Sequence, residues 1–354
     1  MNVEHIIDMA RQAGASDVHL VCGLPVKFRL AGRLENAGVD GDAPLSHDDC
    51  EQLARRLAGD DFDRIQRIGE LDRAETIGGV RVRINLVRQQ GHASAALRLL
   101  SDRIPALETL GLPPAVMDFP RIQRGIVVVT GETGSGKSTT LAALIDSINH
   151  TRAENIITME DPIEYVHRHE GCIVTQREIP SDVATYAEAL RSAMREAPDV
   201  ILLGEMRDQE TIGTAMTAAE MAQLLFSTLH TTGASSTVDR IIDAFPANQQ
   251  RQIRMQLSLV LQAVVSQQLV PTVDGGIVPV FEIMTATPAI RNLIREEKTH
   301  QIDSVIASSS GAGMRTMDQS LHRLVKEGTI SKEVALQHAI HQEALKKRFE
   351  TEGM

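Results

Sequence analysis

The sequence predicts an α/β protein in which a P-loop domain follows a smaller N-terminal α+β domain. A glycine-rich loop over Gly131–Ser138 (GETGSGKS) lies between a short apolar stretch and a helix-forming stretch. Apolar strands then recur between helical segments, a pattern typical of a parallel sheet. The chain has 354 residues, of which 42% are hydrophobic, more than one ordinary core requires. We therefore expect two domains.

The first hundred residues combine helical stretches with short alternating strands, predicted over Asp17–Val21, Val26–Leu30 and Val80–Val87. In the last strand, the apolar residues share one face, whereas Arg81 and Arg83 share the other. This basic face is either a phosphate-binding surface or a solvated outer face. Four prolines within residues 101–120 predict a linker. The predicted domains are residues 1–100 and residues 121–354.

The second domain is expected to begin with a buried strand over Gly125–Thr130 and, after the P-loop, a helix over Ser138–Asn149. Strands are then predicted over Asn155–Met159, Val200–Leu203 and Leu224–Ser227, with helices over Tyr186–Arg195 and Thr211–Met221. Beyond Asp243 we expect mostly helix, with a hairpin over Leu269–Phe281, a flexible break over Ser308–Gly313 and amphipathic helix in the last forty residues.

The P-loop predicts a nucleoside triphosphatase that binds ATP and Mg²⁺. Glycines allow backbone N–H groups to turn onto the phosphates, and the following helix adds its dipole. Lys137 supplies a positive charge, and Ser138 supplies a hydroxyl for the metal. The expected nucleotide-binding residues of the loop are Gly131, Thr133, Gly134, Ser135, Gly136, Lys137, Ser138 and Thr139.

Two acidic clusters follow later strands and are candidates for ordering Mg²⁺ and polarising water. Glu160, Asp161 and Glu164 come just after one strand, and Glu205 comes after the next. His230 follows a third strand and is either a contact of the γ-phosphate or an ordinary loop residue bonded to backbone.

The composition limits which ligands and cellular locations are expected for the chain. The net charge of −11 argues against a nucleic-acid groove. The three widely spaced cysteines, Cys22, Cys50 and Cys172, indicate neither a disulfide framework nor a cysteine zinc site, and they favour the reducing cytoplasm. Neither a signal peptide nor a bilayer-spanning apolar run is expected, so membrane association would come through a partner.

Four stretches together resemble the Walker A, Asp-box, Walker B and His-box motifs of the secretion and type IV pilus ATPases: GETGSGKSTT, ITMEDPIEYVH, VILLGEMRD and TAAEMAQLLFSTLHTT. Within that superfamily the chain most resembles the twitching-motility retraction ATPases, from about Ala13 to Asp318. The resemblance implies a PAS-like N-terminal domain, a RecA-like ATPase domain and a homohexameric ring. It further implies a motor at the inner face of the cytoplasmic membrane that acts on an inner-membrane platform protein and drives type IV pilus retraction.

The resemblance also implies roles for single residues. Lys137 and Ser138 would hold phosphate and Mg²⁺, and Glu205 would order the water shell of the metal. Glu164 would polarise the attacking water, and His230 would contact the γ-phosphate.

Arg83 and Arg98 match arginines that reach the nucleotide from the N-terminal domain of the family. A helix capped by Thr287, with Pro288 at its first position, matches the retraction-specific signature AIRNLIRE. Its residues are Ala289, Ile290, Arg291, Asn292, Leu293, Ile294, Arg295 and Glu296. We expect the three apolar side chains on one face, with Arg291, Asn292, Arg295 and Glu296 on the other.

The sequence departs from the family where Met221-Ala222-Gln223 replaces the usual T-G-H. Gln223 cannot change charge near neutral pH, so a coupling role of that first histidine is in doubt. The alternatives are a pilus-assembly or type II secretion ATPase, which usually has a longer N-terminal region and a four-cysteine zinc insert. Less favoured are an accessory retraction ATPase, a RecA-like nucleic-acid motor and a non-catalytic module.

Overall fold

A computed structural model describes residues 2–100 and 103–353, which fall into two units. The first unit comprises the described residues up to Ile104 together with the segment Pro162–Val166. The second comprises Pro105–Asp161 and the described residues from His167 onward. Ser101 and Asp102, at the start of the predicted linker, lie outside the described residues. The domain boundaries stay a prediction.

The first unit contains an antiparallel six-stranded sheet in the order β3-β2-β1-β6-β5-β4. Its elements are α1 (Val3–Gln12), β1 (Asp17–Leu20), β2 (Lys27–Leu30), β3 (Arg33–Asn36), α2 (His47–Ala58), α3 (Phe62–Ile68), β4 (Glu70–Ile77), β5 (Val80–Gln89) and β6 (His92–Leu99). The three strands predicted here are confirmed, and β3, β4 and β6 were not predicted. The PAS-like character of this unit stays a prediction.

Alternate residues of β5 are apolar and contribute to the core of the first unit. Its apolar residues Val80, Val82, Ile84 and Leu86 are all buried, and Arg83 points to the opposite face. The core continues through α1 and α2, which bury their apolar stripes with β5 and β6. The predicted division of β5 into an apolar and a basic face is therefore confirmed.

The second unit contains a seven-stranded sheet in the order β13-β12-β7-β11-β10-β8-β9. All strands are parallel except β13. Its strands are β7 (Gly125–Thr130), β8 (Asn155–Glu160), β9 (Ile173–Glu178), β10 (Val200–Leu203), β11 (Leu224–Leu229), β12 (Leu261–Pro271) and β13 (Ile277–Thr285). Because carboxyl ends of parallel strands meet at one edge, the loops after β7, β8, β10 and β11 lie along the same edge.

The helices of the second unit are α4 (Pro114–Met117), α5 (Lys137–Thr151), α6 (Tyr186–Ala193), α7 (Gln209–Glu220), α8 (Ala234–Asp243), α9 (Ala247–Val260), α10 (Pro288–Arg295), α11 (Ile302–Ser308), α12 (Met317–Lys326), α13 (Lys332–His338) and α14 (Gln342–Thr351). The predicted helices after the P-loop are confirmed. The last forty residues are largely helical, as expected, and comprise α12, α13 and α14, with Gly328 turning the chain between the first two at a φ of +72°. Among the described helices, none has the length and apolar character to span a bilayer.

The prediction of helix beyond Asp243 is wrong for Leu261–Gln268. These residues begin β12, which pairs with β7 on one side and with β13 on the other. The two strands meet at the predicted Asp274-Gly275-Gly276 turn, where Thr272 N donates to Gly276 O at 3.0 Å. The stretch LQAVVSQQLV is buried on both faces as a central strand, so it lacks the alternation that marks half-buried strands.

Candidate nucleotide-binding site

The P-loop connects β7 to α5 with three glycines in the left-handed half of backbone space. Gly131, Gly134 and Gly136 have φ values of +139°, +82° and +87°. Residues that carry a side chain rarely adopt these backbone conformations, whereas glycine adopts them without steric penalty. The 15-residue helix α5 begins at Lys137 directly after the loop. The predicted strand, loop and helix are thus confirmed, and the arrangement directs backbone N–H groups and a helix dipole toward an anion.

Strand β12 packs directly on this loop through Gln267. The backbone oxygen of Gln267 lies 2.2 Å from the place that a Cβ on Gly131 would occupy, and its Nε2 lies 2.8 Å from that place on Gly136. Its Oε1 accepts from Thr140 Oγ1 at 2.9 Å. The close approach of Gln267 therefore explains why Gly131 and Gly136 cannot carry a side chain. Sequence reasoning missed it because the strand was assigned to a helix, although the β-branched pair in AVVSQQ favours a strand.

Lys137 is held within the loop. Its Nζ donates to Gly131 O and to Glu132 O, both at 2.8 Å, and only 8% of the residue is exposed. The neighbouring hydroxyl of Ser135 is buried and has no hydrogen-bond partner among the described residues. Thr133 and Ser138 are exposed, and Thr139 is half-buried. An ammonium group, a buried hydroxyl and exposed hydroxyls therefore surround the same turn.

Glu205 and His230 lie together at the carboxyl edge of the sheet. Glu205 Oε2 is 3.6 Å from His230 Nε2, and its Oε1 is 2.6 Å from Nε of Arg207. Thr228 joins the two loops, since its Oγ1 donates to Gly204 O at 2.6 Å. The strand before Glu205, β10, is separated from β7 by β11.

Tyr186 is a second residue that sequence reasoning missed. A Cβ on Gly204 would lie 2.8 Å from the Tyr186 hydroxyl, so the glycine leaves room for it. Burial, followed by the negative charge of Glu205, raises the pKa of Tyr186. The hydroxyl therefore remains a donor beside Glu205. The sequence gives no signal that Tyr186 lies beside Glu205, apart from the position of Tyr186 at the start of a predicted helix.

The remaining acidic residues are divided between the units. Glu160 ends β8, where its Oε1 accepts from Thr158 Oγ1 at 2.6 Å and from Gln176 Nε2 at 3.2 Å. Glu164 belongs to the segment Pro162–Val166 of the first unit. The second unit by itself therefore places the P-loop, Glu205 and His230 along one edge of its sheet.

Arg83 and Arg98 are directly opposite each other on β5 and β6 of the first unit. Arg83 Nη2 lies 2.6 Å from Asp72 Oδ2, and Arg98 Nε lies 3.0 Å from Asp17 Oδ1. A cavity of about 260 Å³ is lined by these four residues together with Asn85 and Ala96. Burial alone would raise the pKa of Asp17, but hydrogen bonds from Ser16 and Arg98 lower it below its usual value.

The predicted retraction helix is α10, and Thr287 caps it by accepting from Ile290 N at 3.4 Å. Ile290 and Ile294 are buried and Leu293 is partly buried, as expected. Arg291 is half-buried, and its side chain extends to the end of α9 rather than into solvent. Its guanidinium group donates to Ser258 O at 2.5 Å and to Leu259 O at 2.9 Å.

These carbonyl groups belong to the last turn of α9 and have no partners within that helix, so they attract the cation. The same burial lowers the pKa of Arg291. Asn292 and Glu296 remain exposed.

Among residues 2–100 and 103–353, no group of three histidine, cysteine, aspartate or glutamate side chains could hold a metal ion. A site that used protein ligands together with nucleotide oxygens would not require such a group.

A P-loop between a central strand and a helix, with a carboxylate and a histidine at the same edge of a parallel sheet, defines a RecA-like P-loop nucleoside triphosphatase. The family model for the type II/IV secretion system protein matches residues 2–275. The chain belongs to this family, whose members are ATPases.

Three relatives place the chain within the family. It is 44% identical over 344 residues to the type IV pilus retractation ATPase PilT of Pseudomonas aeruginosa, covering 96% of this chain and 98% of the relative. It is similar to the crystal structure of the pilus retraction motor PilT with bound ADP, with a TM-score of 0.92 and 42% identity over 98% of this chain and 99% of the other. Type II secretion system protein E of Klebsiella pneumoniae is 36% identical over 278 residues, covering 72% of this chain and 51% of the relative. The retraction ATPase is thus the more similar of these two functional types, and nucleotide binding is a property of the fold that the chain shares.

Proposed function

We propose that this chain forms a homohexameric motor that couples ATP hydrolysis to type IV pilus retraction. The contact of Glu205 with His230, at the edge that carries the P-loop, is the observation that supports catalysis most directly. The identity to a retraction ATPase along nearly the whole chain supports the direction of the work. The proposed location is the cytoplasmic face of the inner membrane, where the motor would act on an inner-membrane platform protein. We propose neither nucleic acid nor zinc as a ligand.

The oxygen donors near the P-loop fit Mg²⁺. Ser138 offers an exposed hydroxyl, and Glu205 offers a carboxylate with 15% of its side chain exposed. Such hard oxygen ligands suit this ion, which retains several waters and binds to few protein groups. When bound, Mg²⁺ neutralises charge on the phosphates. Glu205 would hold the water shell of the ion.

The other residues have separate roles in this proposal. Lys137 binds phosphate in place of the two backbone carbonyl oxygens that it now contacts. His230 hydrogen-bonds the γ-phosphate, and Glu164 polarises the attacking water. Arg83 and Arg98 bind phosphate through their opposed guanidinium groups, in competition with their aspartate partners.

ATP hydrolysis by the purified protein tests the catalytic part of the proposal, with molar mass followed by light scattering. Lys137→Ala is expected to abolish both nucleotide binding and turnover. Glu205→Gln is expected to abolish turnover and to retain nucleotide. Glu210→Gln is a matched control, because Glu210 is an exposed carboxylate that pairs with Arg191 on the surface. Unchanged turnover in Glu205→Gln would remove the site assignment, and a monomer that never assembles would contradict the ring.

Pilus retraction in cells tests the role of α10. Asn292→Ala changes an exposed residue of this helix and is expected to abolish retraction while leaving ATP hydrolysis intact. Arg291→Ala is less informative, because it removes hydrogen bonds to the end of α9 and is expected to lower stability. A helix with a purely structural role would give normal retraction with Asn292→Ala and reduced thermal stability with Arg291→Ala.

A further inference from the structure

A buried carboxylate joins the first backbone N–H groups of two helices in the second unit. Glu282 on β13 is 2% exposed. Its Oε1 accepts from the N–H of Ala234, the first residue of α8, at 2.7 Å. Its Oε2 accepts from the N–H of Met317, the first residue of α12, at 3.0 Å. Each carboxylate oxygen thus satisfies a donor that has no partner within its own helix.

Ser266 completes this arrangement from β12. It lies directly opposite Glu282 in the strand pairing and is fully buried. Its Oγ accepts from the N–H of Gly233 at 3.0 Å. Gly233 also accepts from Thr237 Oγ1 at 2.7 Å, and that hydroxyl lies 2.8 Å from Thr231 Oγ1. The segment 231–234 is therefore fastened at four points.

This fastening determines where His230 can be. His230 precedes Gly233 by three residues, and a chain of three residues spans at most about 10 Å. A loop this short transmits the position of its anchored end to the histidine. The other end of the loop follows directly from β11, a central strand of the sheet.

Burial of a carboxylate this deep in the protein has a high free-energy cost for a contact that is only structural. Removal of a carboxylate from water is strongly unfavourable unless hydrogen bonds and favourable dipoles replace the water. The two helix N-termini supply both, because their dipoles favour negative charge. Apolar packing of similar volume would not specify the position of two helices at once.

We propose that Glu282 and Ser266 are positioning residues, which hold the loop carrying His230 against the γ-phosphate and join it to α12. The proposal rests on the proposed role of His230. It predicts that loss of the anchor weakens recognition of a triphosphate and leaves recognition of a diphosphate unchanged. It also predicts that displacement of α12 would move the His230 loop.

The test compares Ser266→Ala with Ser266→Thr, which retains the hydroxyl. Affinities for ADP and for a non-hydrolysable ATP analogue are measured on the full-length protein with Mg²⁺, together with kcat and KM for ATP. Ser266→Ala is expected to lower the affinity for the analogue and kcat/KM about three- to tenfold, the usual range for one hydrogen bond. ADP affinity should stay unchanged, and Ser266→Thr should restore most of the loss. Ser258→Ala is the matched control, since Ser258 is equally buried but donates to Met255 O within α9.

Hydrogen exchange on the folded variants gives an independent measurement of the anchor. Ser266→Ala should speed exchange at the amide of Gly233. Glu282→Gln should speed exchange at one of the two amides, Ala234 or Met317, because its amide group can accept from only one of these donors. Unchanged exchange at these amides, or an equal loss of ADP and analogue affinity, would overturn the proposal. If His230→Ala failed to distinguish the analogue from ADP, the proposed role of His230 would be wrong, and the exchange data would still decide whether the anchor exists.

Discussion

The two ends of β11 differ in how the chain holds its polar side chains. At the carboxyl end, His230 lies 3.6 Å from the Glu205 carboxylate, and the following loop is fastened by Ser266 and Glu282. At the amino end, Gln223 is 8% exposed, and its Oε1 has no hydrogen-bond partner among the described residues. Ala222 before it adopts a left-handed φ of +71°.

The family usually has glycine and histidine at the positions of Ala222 and Gln223. The six residues of β11 separate Gln223 from His230, which places the two roughly 20 Å apart. The two positions therefore cannot contact the same phosphate group. The contrast predicts that hydrolysis depends on the carboxyl edge, and that the departure at the amino edge changes stability rather than turnover.

The largest expected effect on turnover comes from replacing one of the two glycines at the ends of β7, and the other glycine serves as its comparison. Gly131 and Gly125 have φ values of +139° and +104°, and a Cβ on either would meet a backbone oxygen, at 2.2 Å and 2.4 Å respectively. Gly131→Ala should lower ATP turnover more than about 100-fold, since the loop that holds the phosphates must move. Gly125→Ala carries similar strain at the amino edge and should lower thermal stability while the folded fraction retains turnover.

Turnover per folded molecule, with the folded fraction taken from circular dichroism, is the quantity to compare. Equal loss of turnover in both glycine variants would show that the amino edge also shapes the site. The contrast between the edges would then be wrong.

The sequence predicts most of the carboxyl edge, because the residues there follow directly from strand ends. Lys137, Glu205 and His230 could be placed by that logic, and the structure brings Glu205 and His230 together. Gln267 and Glu282 could not be placed, since their strands, β12 and β13, come far later in the chain than the P-loop and were not predicted to lie beside it. The contact of Arg291 with the end of α9 could not be predicted, because periodicity gives the direction of a Cβ but not the path of a long side chain.

The next largest effect is a difference in kcat between substitutions at the two ends of β11. His230→Ala should lower kcat by about 100-fold, the usual loss when one preorganised donor to a developing charge is removed. Gln223→Ala should leave kcat unchanged. Steady-state ATPase assays on both variants provide the measurement, and a comparable loss in Gln223→Ala would mean that the amino edge takes part in hydrolysis.

A smaller effect concerns the strained backbone at the amino edge. Ala222→Gly should raise the free energy of unfolding by about 1 kcal/mol, since glycine adopts a left-handed conformation without steric penalty. Ala244→Gly is the control, because Ala244 has an ordinary φ of −65° and should lose stability. Urea unfolding measures both, and a less stable Ala222→Gly would show that the strain is relieved by its surroundings.

The smallest effect tests whether the histidine usual in the family would matter here. Gln223→His introduces a buried imidazole, and burial disfavours its charged form, so its pKa in the folded protein should fall below the ordinary value of about 6.5. A lowered folded-state pKa means that the unfolded chain binds the proton more readily. The variant should therefore match the parent above about pH 6.5 and lose stability relative to it as the pH falls through that value. Urea unfolding at a series of pH values measures the difference. A variant that instead gained stability on acidification would place a negative group beside position 223, and the amino edge would then resemble the edge that carries His230 and Glu205.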